Sequence, residues 1–274
     1  MLMSGIDPIA FTMFGLEIRW YGILISSALV LSLLIASFRA KKNNIKTDAV
    51  LDIIIWSVPI GIIGARLYYV IFNWDYYSGN LARIINIRGG GLAIHGGLIF
   101  GVITALIVCA IKQINFLKIA DLLIPEVALA QAIGRWGNFF NGEAYGSETN
   151  LPWAIVIDGK SVHPTFLYES IWCFFLFFLL IYIAKNKKFD GQILLLYGIL
   201  YSIERFFVEG LRTDSLMFGS LKQAQLISIT ILIISIILYF YNLRVNKVKL
   251  KYRSKSKRET GKNRRIDRNS RHKK

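Results

Sequence analysis

The chain has 274 residues, of which 54% are hydrophobic, and its mean hydropathy is +0.48. A soluble domain of this size is rarely so apolar, so the composition argues against a soluble protein and predicts an integral membrane protein. The formal net charge of +16 is concentrated at one end, because fifteen of the 33 lysines and arginines lie from residue 242 onward. This placement makes RNA the weaker interpretation of the charge, and no nucleic-acid partner is expected.

Long apolar runs recur along the chain, each near the ~20 residues that cross a bilayer as a helix. The predicted spans are 18–38, 49–72, 91–111, 117–136, 167–184, 192–209 and 223–241. No cleavable signal sequence is evident, so the first run is expected to remain as a span. The predicted fold class is therefore an all-α polytopic integral membrane protein with seven transmembrane helices.

Two regions are expected on either side of residue 244. Residues 1–244 form the transmembrane domain, whereas 245–274 form a basic tail whose polar composition predicts disorder. Such a tail is attracted to anionic membrane lipids. Short loops on one side of the predicted spans carry nine lysines and arginines, against six on the other side. This bias predicts an N-terminus outside the cell, a cytoplasmic C-terminus, and extracytoplasmic loops 73–90, 137–166 and 210–222.

An ionisable group inside a bilayer costs ~2.5–3.5 kcal/mol on insertion scales, so each one needs a partner or a function. The ionisable residues within or beside the predicted spans are Arg66, His95, Glu126, Arg135, Glu143, Glu169, Glu204, Arg205 and Glu209. Nearly all lie at the extracytoplasmic ends of their spans. This convergence predicts one polar site at that depth.

The first and third spans each contribute a candidate near the outer surface. "IRWYG", 18–22, places Tyr21 at the outer end of the first span, and an interfacial aromatic belt accounts for Trp20. "RGGGLAIHGG", 88–97, brings His95 into the third span on a glycine-rich segment. A histidine is the usual general base near neutral pH, but a packing role for His95 stays open.

The fourth span ends in "GRWGNFFNGEAYG", 134–146, an unusual concentration of polar side chains. Arg135 and Asn138 are spaced i, i+3, and Gly142 is the predicted helix stop. Asn141 and Glu143 then follow on irregular backbone. Amides donate and accept hydrogen bonds, and a guanidinium fork suits phosphate. Helix termination alone accounts for one asparagine but not for the whole set.

"HPTFLYES", 163–170, opens the fifth span with Glu169 in the first turn, and His163 is interpreted as a loop or capping residue. In the sixth span, Tyr201, Arg205 and Glu209 are spaced i, i+4, i+8 and share a helix face. An Arg205–Glu209 ion pair that only packs the bundle is the alternative. The two cysteines, Cys109 and Cys173, lie in apolar runs and are interpreted as small buried hydrophobic residues.

The residues alone thus predict an outward-facing cavity with two arginines, which suits an anionic lipid headgroup. A phospholipid-using enzyme, an anion or lipid transporter and a membrane scaffold are the candidate functions. The chain shows no internal repeat, which disfavours a transporter. The general-base candidates favour an enzyme. No sequence pattern calls for a metal or another cofactor.

The 134–146 motif resembles the signature of the prolipoprotein diacylglyceryl transferases. The matching positions are Gly134, Arg135, Gly137, Asn138, Phe139, Asn141, Glu143 and Gly146. "IRWYG", "HGGLIFG" at 95–101 and "YSIERFFVEGLRTDS" at 201–215 resemble further family blocks in the family's order. Phe166 stands where many relatives carry glutamine, and "LRTDS" lacks a proline that some relatives carry.

The resemblance implies an enzyme of the bacterial cytoplasmic membrane. Its implied activity is transfer of a diacylglyceryl group from phosphatidylglycerol to the lipobox cysteine of a prolipoprotein signal peptide, with release of glycerol 1-phosphate. The implied phosphatidylglycerol-binding residues are Tyr21, Arg135, Asn138, Asn141, Glu143, Gly146 and Arg205. The implied catalytic residues are His95, Arg135, Tyr201, Arg205 and Glu209.

Overall fold

The computed structural model describes residues 7–271 except 88, 214, 216 and 220, and it leaves the side chains of 218 and 249–271 undescribed. The helices are α1 (Trp20–Lys42), α2 (Thr47–Phe72), α3 (Trp74–Tyr77), α4 (Leu81–Ile85), α5 (Ile94–Ile111), α6 (Phe116–Phe140), α7 (Thr165–Ala184), α8 (Gln192–Leu211) and α9 (Gln223–Arg271). The strands are β1 (Ile9–Met13), β2 (Leu16–Arg19), β3 (Ile155–Ile157), β4 (Lys160–Val162), β5 (Met217–Phe218) and β6 (Leu221–Lys222).

A long helix covers the main part of every predicted span. Helices α1, α2, α5 and α7 and the Gln223–Val248 part of α9 are long and apolar enough to cross a membrane. Helices α6 and α8 fall outside this group because polar and ionisable residues interrupt their apolar runs. The mostly helical architecture of a membrane protein is thus confirmed, with five candidate membrane-spanning helices among the described residues.

The connections contain more structure than the sequence predicts. Strands β1–β2, β3–β4 and β5–β6 form antiparallel hairpins, and α3 and α4 lie in the predicted loop 73–90. Helix α6 continues to Phe140, so the loop predicted from residue 137 begins at Asn141. Strands of two to five residues that pair with a close neighbour leave little periodicity in a sequence.

Helix α9 carries the backbone of the basic segment as far as Arg271, whereas the composition of 245–274 predicts disorder. The side chains beyond Val248 and the whole of 272–274 lie outside the described residues. The disordered cytoplasmic tail therefore stays a prediction.

Helix α6 is the central element, since it packs against α1, α7 and α8. Its contact with α7 and α8 is the main apolar core, in which Leu129, Leu176, Leu180 and Ile193 are buried. Helices α2 and α5 pack through small residues, and a Cβ atom at Gly96 would overlap the carbonyl oxygen of Gly64. Such small residues let helix backbones approach closely in a membrane.

One end of the bundle carries a polar group of residues that we call the capping network: Arg39, Asp121, Glu126 and Lys187. Arg39 Nη1 lies 2.6 and 2.7 Å from the two carboxylate oxygens of Glu126, and it also donates to the carbonyl of Leu122 at 2.9 Å. The side chain of Glu126 is 3% exposed. These bonds join α1 to α6.

Asp121 belongs to α6 but caps the start of another helix, α8. Its carboxylate accepts from the backbone N–H groups of Gly191 and Ile193, each at 2.8 Å, at the start of α8. Lys187 donates to Asp121 at 2.9 Å and to Asp190 at 3.0 Å. Burial lowers the pKa of Lys187, but these hydrogen bonds outweigh it and leave the pKa above its usual value. The capping network therefore satisfies backbone and side-chain groups together.

Candidate functional site

The opposite end of the bundle brings the end of α6, the start of α7 and the end of α8 together. The hydroxyl of Ser170 donates to the carbonyl of Ala132 at 2.8 Å, and Trp136 Nε1 donates to the same hydroxyl at 3.1 Å. Phe166 is buried, and its ring stacks on that of Phe139 at 4.8 Å between centroids. These contacts fix the first turn of α7 against the last turns of α6.

Glu169 lies at the centre of this end and joins three helices. Its carboxylate forms ion pairs with Arg135 of α6 and, at 2.6 Å, with Arg205 of α8. Arg205 also pairs with Glu209 at 2.6 Å along its own helix. We call Arg135, Glu169, Arg205 and Glu209 the arginine–glutamate cluster. The Arg205–Glu209 pair that stands as the alternative interpretation of the sequence is present, but it belongs to a larger arrangement.

Burial and charge define what the arginine–glutamate cluster can bind. The side chain of Glu169 is 1% exposed, whereas those of Arg135 and Arg205 are 20% and 18% exposed. The two guanidiniums therefore keep some accessible surface while a buried carboxylate fixes their separation. Each guanidinium has five N–H donors in a planar fork, which suits the oxygens of a phosphate.

Two tyrosines of α8 extend this surface. The rings of Tyr197 and Tyr201 are stacked with centroids 5.3 Å apart, and the Tyr201 hydroxyl lies close to the guanidinium of Arg135. The Tyr197 hydroxyl donates to Gln131 of α6 at 2.6 Å. The structure thus brings Tyr201 together with Arg205 and Glu209, as the shared helix face predicts, and places Arg135 of α6 beside them.

Glu204 adds a third carboxyl to this end of the bundle. Both of its carboxyl oxygens are buried, and neither has a hydrogen-bond partner among the residues that the structure describes. The group is close enough to Glu169, Arg135 and Arg205 to interact with them electrostatically. A buried carboxyl without a partner is costly, which makes this region less fully satisfied than the capping network.

The asparagines of the 134–146 motif converge on one acceptor. Asn138 and Asn141 donate to the same carboxylate oxygen of Glu143, at 3.0 and 3.2 Å. Helix α6 ends at Phe140, and Gly142 follows in the left-handed region with φ +64°. The helix stop predicted at Gly142 is confirmed. Glu143 therefore holds both amides in place one helical turn beyond Arg135.

Gly146 has a packing role in the structure. Its N–H donates to the carbonyl of His163 at 2.9 Å, and the next N–H donates to the carbonyl of Leu211 at 2.8 Å. A Cβ atom at Gly146 would overlap the side chain of His163. The backbone of the motif is thereby tied to the end of α8, which carries Glu209. His163 lies in the loop, as predicted.

Tyr21 reaches the same end of the bundle from α1. Its ring lies against Gly137, where a Cβ atom would overlap it, and the ring of Trp20 stacks on Phe140 at 5.1 Å. Tyr21 is therefore placed beside the helix turn that carries Arg135 and Asn138. Its side chain remains 41% exposed.

His95 is the one predicted catalytic residue that the structure leaves apart from the cluster. It is exposed in the first turn of α5, and its ring lies 6.2 Å from that of Tyr68 of α2. Across the described part of the chain, His95 has no hydrogen bond or ion pair with Arg135, Glu169 or Arg205. Its predicted catalytic role stays a prediction.

Arg66 is an ionisable residue of a predicted span, and its contacts lie outside the arginine–glutamate cluster. Its guanidinium is buried and donates to the backbone carbonyls of Arg83, Ile84, Gly90 and Gly91 at 2.5–3.0 Å. These bonds hold the segment that precedes α5 against α2. Arg66 therefore has a local structural role that sequence position alone does not reveal.

The sequence does not reveal how two residues organise the site. Glu169 was recognisable as an ionisable group in the first turn of a span, but its central position follows from the packing of three helices. Lys222 of β6 donates to the carbonyls of Glu209 and Gly210 at 2.8 and 3.1 Å. It caps the end of α8, and no pattern in the sequence identifies such a long-range cap.

Comparisons with known proteins show the family to which the chain belongs. Residues 8–241 match the family model described as prolipoprotein diacylglyceryl transferase. A protein of Finegoldia magna named phosphatidylglycerol–prolipoprotein diacylglyceryl transferase is 59% identical over 233 residues, which cover 85% of this chain and 94% of the relative. A protein of Clostridioides difficile with the same name is 57% identical, with 88% and 97% covered. A third, from Listeria welshimeri, is 46% identical, with 89% and 93% covered.

Proposed function

Because the chain belongs to the prolipoprotein diacylglyceryl transferase family, we propose that it transfers a diacylglyceryl group from phosphatidylglycerol to a prolipoprotein. The acceptor is the thiol of the lipobox cysteine in the signal peptide. The product is a thioether, and this is the first step of bacterial lipoprotein maturation. The protein is an enzyme of the cytoplasmic membrane, which holds both the lipid donor and the acceptor.

The proposed topology has seven spans, with the N-terminus outside and the C-terminus in the cytoplasm. The capping network then lies on the cytoplasmic side, where the lysines and arginines of the short loops are more numerous. The arginine–glutamate cluster lies towards the outer surface. Helices α6 and α8 cross the membrane in the interior of the bundle, where neighbouring helices shield their ionisable groups.

The reaction breaks one bond and forms another at the same carbon atom. The cysteine sulfur attacks the terminal glyceryl carbon of the diacylglyceryl group, and the bond from that carbon to the phosphate oxygen breaks. The bonding electrons leave with the phosphate, which departs as glycerol 1-phosphate. The thiol proton passes to a base or to the phosphate itself. Negative charge therefore accumulates on the phosphate in the transition state.

The convergence of Arg135 and Arg205 on the buried carboxylate of Glu169 is the observation that carries this proposal. Two guanidiniums fixed before substrate arrives stabilise the growing phosphate charge without having to reorganise. Asn138 and Asn141, held by Glu143, supply donors for the glycerol headgroup. Tyr21, Tyr201, Glu209 and the Gly146 turn complete the lipid site.

The thiol has an ordinary pKa of ~8.5, so the reaction needs a base or a positive field to form the thiolate. His95 is the candidate base, with its ring exposed at the entry to α5. The alternative is that Arg135 and Arg205 favour the thiolate through their charge. A pH–rate profile of His95→Gln separates the two, because loss of the base removes the acidic limb of the profile.

A transfer assay tests the proposal. The purified protein is mixed with phosphatidylglycerol carrying a labelled acyl chain and with a synthetic lipobox peptide. Label is expected on the cysteine peptide with the wild type, and on neither a serine peptide nor the cysteine peptide with Arg135→Ala. If the folded wild type moves no label, the enzyme proposal fails and lipid translocation becomes the function to test.

A further inference from the structure

A cavity of about 650 Å³ lies outside the arginine–glutamate cluster, beside the first hairpin. One wall is the hairpin turn and strand β2, with Gly15, Leu16, Glu17 and Arg19, and the opposite wall is Gly89 with Gly90. Its volume falls within the range of about 300–1,000 Å³ that is typical of ligand pockets. The proposed lipid site does not use this space.

The strand wall offers unpaired backbone groups. Strand β2 pairs with β1 alone among the described residues, in the antiparallel register that sets Met13 opposite Leu16. Its other edge therefore keeps free N–H and C=O groups, which are a template for a further strand. The side chains of Glu17 and Arg19, 3.8 Å apart, flank this edge with both signs of charge.

The glycine wall exposes backbone without side chains, and hydrogen bonds from Arg66 hold that backbone in place. Arg66 donates to the carbonyls of Gly90 at 2.7 Å and of Gly91 at 3.0 Å. Gly90 has φ +84°, and a Cβ atom built there would meet no atom within 4 Å. The wall thus combines a fixed backbone with open space on the cavity side.

Both walls lead directly to residues of the proposed site. Strand β2 runs into Trp20 and Tyr21, and Tyr21 lies against Gly137 of α6. The glycine wall runs into α5, whose first turn carries His95. A chain lying in the cavity would therefore sit between the elements that carry the lipid-binding residues and the candidate base.

We propose that this cavity binds the extended prolipoprotein segment that follows the lipobox cysteine, as a strand added to β2. The proposal rests on the transferase function proposed above. An extended peptide satisfies a free strand edge through main-chain hydrogen bonds, and the glycine wall leaves room for its backbone, whereas an acyl chain leaves the strand edge unpaired.

Site-specific photocrosslinking tests the contact directly. A photoreactive residue is placed at Leu16, which lines the cavity, or at Phe14, which is on the same hairpin turn and 94% exposed. With a labelled lipobox peptide, crosslinking is expected from position 16 to residues after the cysteine, and not from position 14. Equal labelling at both positions, or none at position 16, would overturn the proposal.

Kinetics supply a second test with a matched control. Asn tolerates a left-handed backbone, so Gly90→Asn places a side chain in the cavity. Gly79 has a similar φ of +81° but does not line the cavity, so Gly79→Asn carries the same backbone cost and serves as the control. Gly90→Asn is expected to raise the KM for the peptide about tenfold and leave kcat within about twofold, the equivalent of one or two lost hydrogen bonds.

Gly79→Asn is expected to leave both constants unchanged, and equal constants in the two variants would contradict the proposal. Failure of the transferase function is distinguishable from failure of this proposal. In the first case the wild type moves no label, while crosslinking at position 16 still reports whether a peptide docks. In the second case the wild type is active and position 16 stays unlabelled.

Discussion

The two ends of the bundle use similar residues in different ways. In the capping network, Arg39 holds the buried carboxylate of Glu126, and Asp121 caps the start of α8. In the arginine–glutamate cluster, Arg135 and Arg205 share Glu169, and the nearby carboxyl of Glu204 has no hydrogen-bond partner among the described residues. The first set satisfies the backbone of the fold. The second set leaves part of each arginine side chain accessible. The neighbouring carboxyl of Glu204 lacks a hydrogen-bond partner among the described residues.

Buried charge thus serves stability at one end of the bundle and function at the other. A group whose donors end on helix carbonyls or helix N–H groups is committed to the fold. Guanidiniums that share a carboxylate are held in place but keep donors for a further anion. We therefore expect changes at the capping network to alter stability, and changes at the arginine–glutamate cluster to alter catalysis.

The largest expected effect is on stability. Glu126→Ala leaves the guanidinium of Arg39, whose side chain is only 12% exposed, without its carboxylate, so the free energy of unfolding should fall by about 3–5 kcal/mol. Denaturation in mixed micelles of increasing SDS measures this change. The transfer rate per folded molecule should stay within about twofold of the wild type. A large loss of rate in fully folded Glu126→Ala would contradict the assignment of the capping network to stability alone.

The next effect is on catalysis. Arg205→Lys keeps the charge but removes the planar fork, so kcat/KM should fall about 100- to 1,000-fold, as for loss of a preorganised donor. Arg39→Lys is the matched control at the other end and should change the rate little. The labelled transfer assay measures both. Similar rates for Arg205→Lys and Arg39→Lys would mean that the cluster holds no phosphate.

A smaller effect should follow from moving Tyr21. A Cβ atom at Gly137 would overlap its ring, whereas one at Gly22 meets no atom within 4 Å. Gly137→Ala should therefore displace the phenol and reduce kcat/KM about tenfold, while Gly22→Ala in the neighbouring helix should not. Steady-state kinetics on both variants decide this. Equal activity would remove Tyr21 from the lipid site.

The smallest expected effect is the pH dependence of the stability that Lys187 contributes in the capping network. The pKa of Lys187 is above its ordinary value of 10.5, so its ion pairs stabilise the folded state below that pH and lose this contribution as the pH rises through the folded-state pKa. Lys187→Met should cost less than about 1 kcal/mol at pH 8 because the side chain is partly exposed. The difference from the wild type should shrink as the pH rises through the folded-state pKa of Lys187, and a difference that does not change with pH would contradict the pairing.

Much of the fold could be predicted from the sequence because apolar runs of about 20 residues specify helices. The positions of Arg135, Asn138, Arg205 and Glu209 on helix ends followed from the same pattern. The hairpins could not be predicted, since strands such as β5 and β6 have only two residues each. Their pairing depends on the helices that they connect.

The site was predicted in part for a related reason. Spacing along α8 predicts that Arg205 and Glu209 share a helix face, but the central place of Glu169 arises only when α6, α7 and α8 pack together. Arg66 was expected at the polar site, yet its guanidinium holds the carbonyls before α5. Long-range hydrogen bonds of this kind depend on tertiary contacts, which a single sequence does not specify.

Binding of phosphatidylglycerol to the folded protein tests the central claim most directly. Fluorescent phosphatidylglycerol is titrated into wild type, Arg205→Lys and Arg39→Lys in detergent micelles, with uncharged diacylglycerol as the control ligand. The wild type and Arg39→Lys should bind the anionic lipid alike, and Arg205→Lys should bind it at least about tenfold more weakly. Equal affinity in all three proteins would contradict the assignment of the arginine–glutamate cluster as the phosphate site.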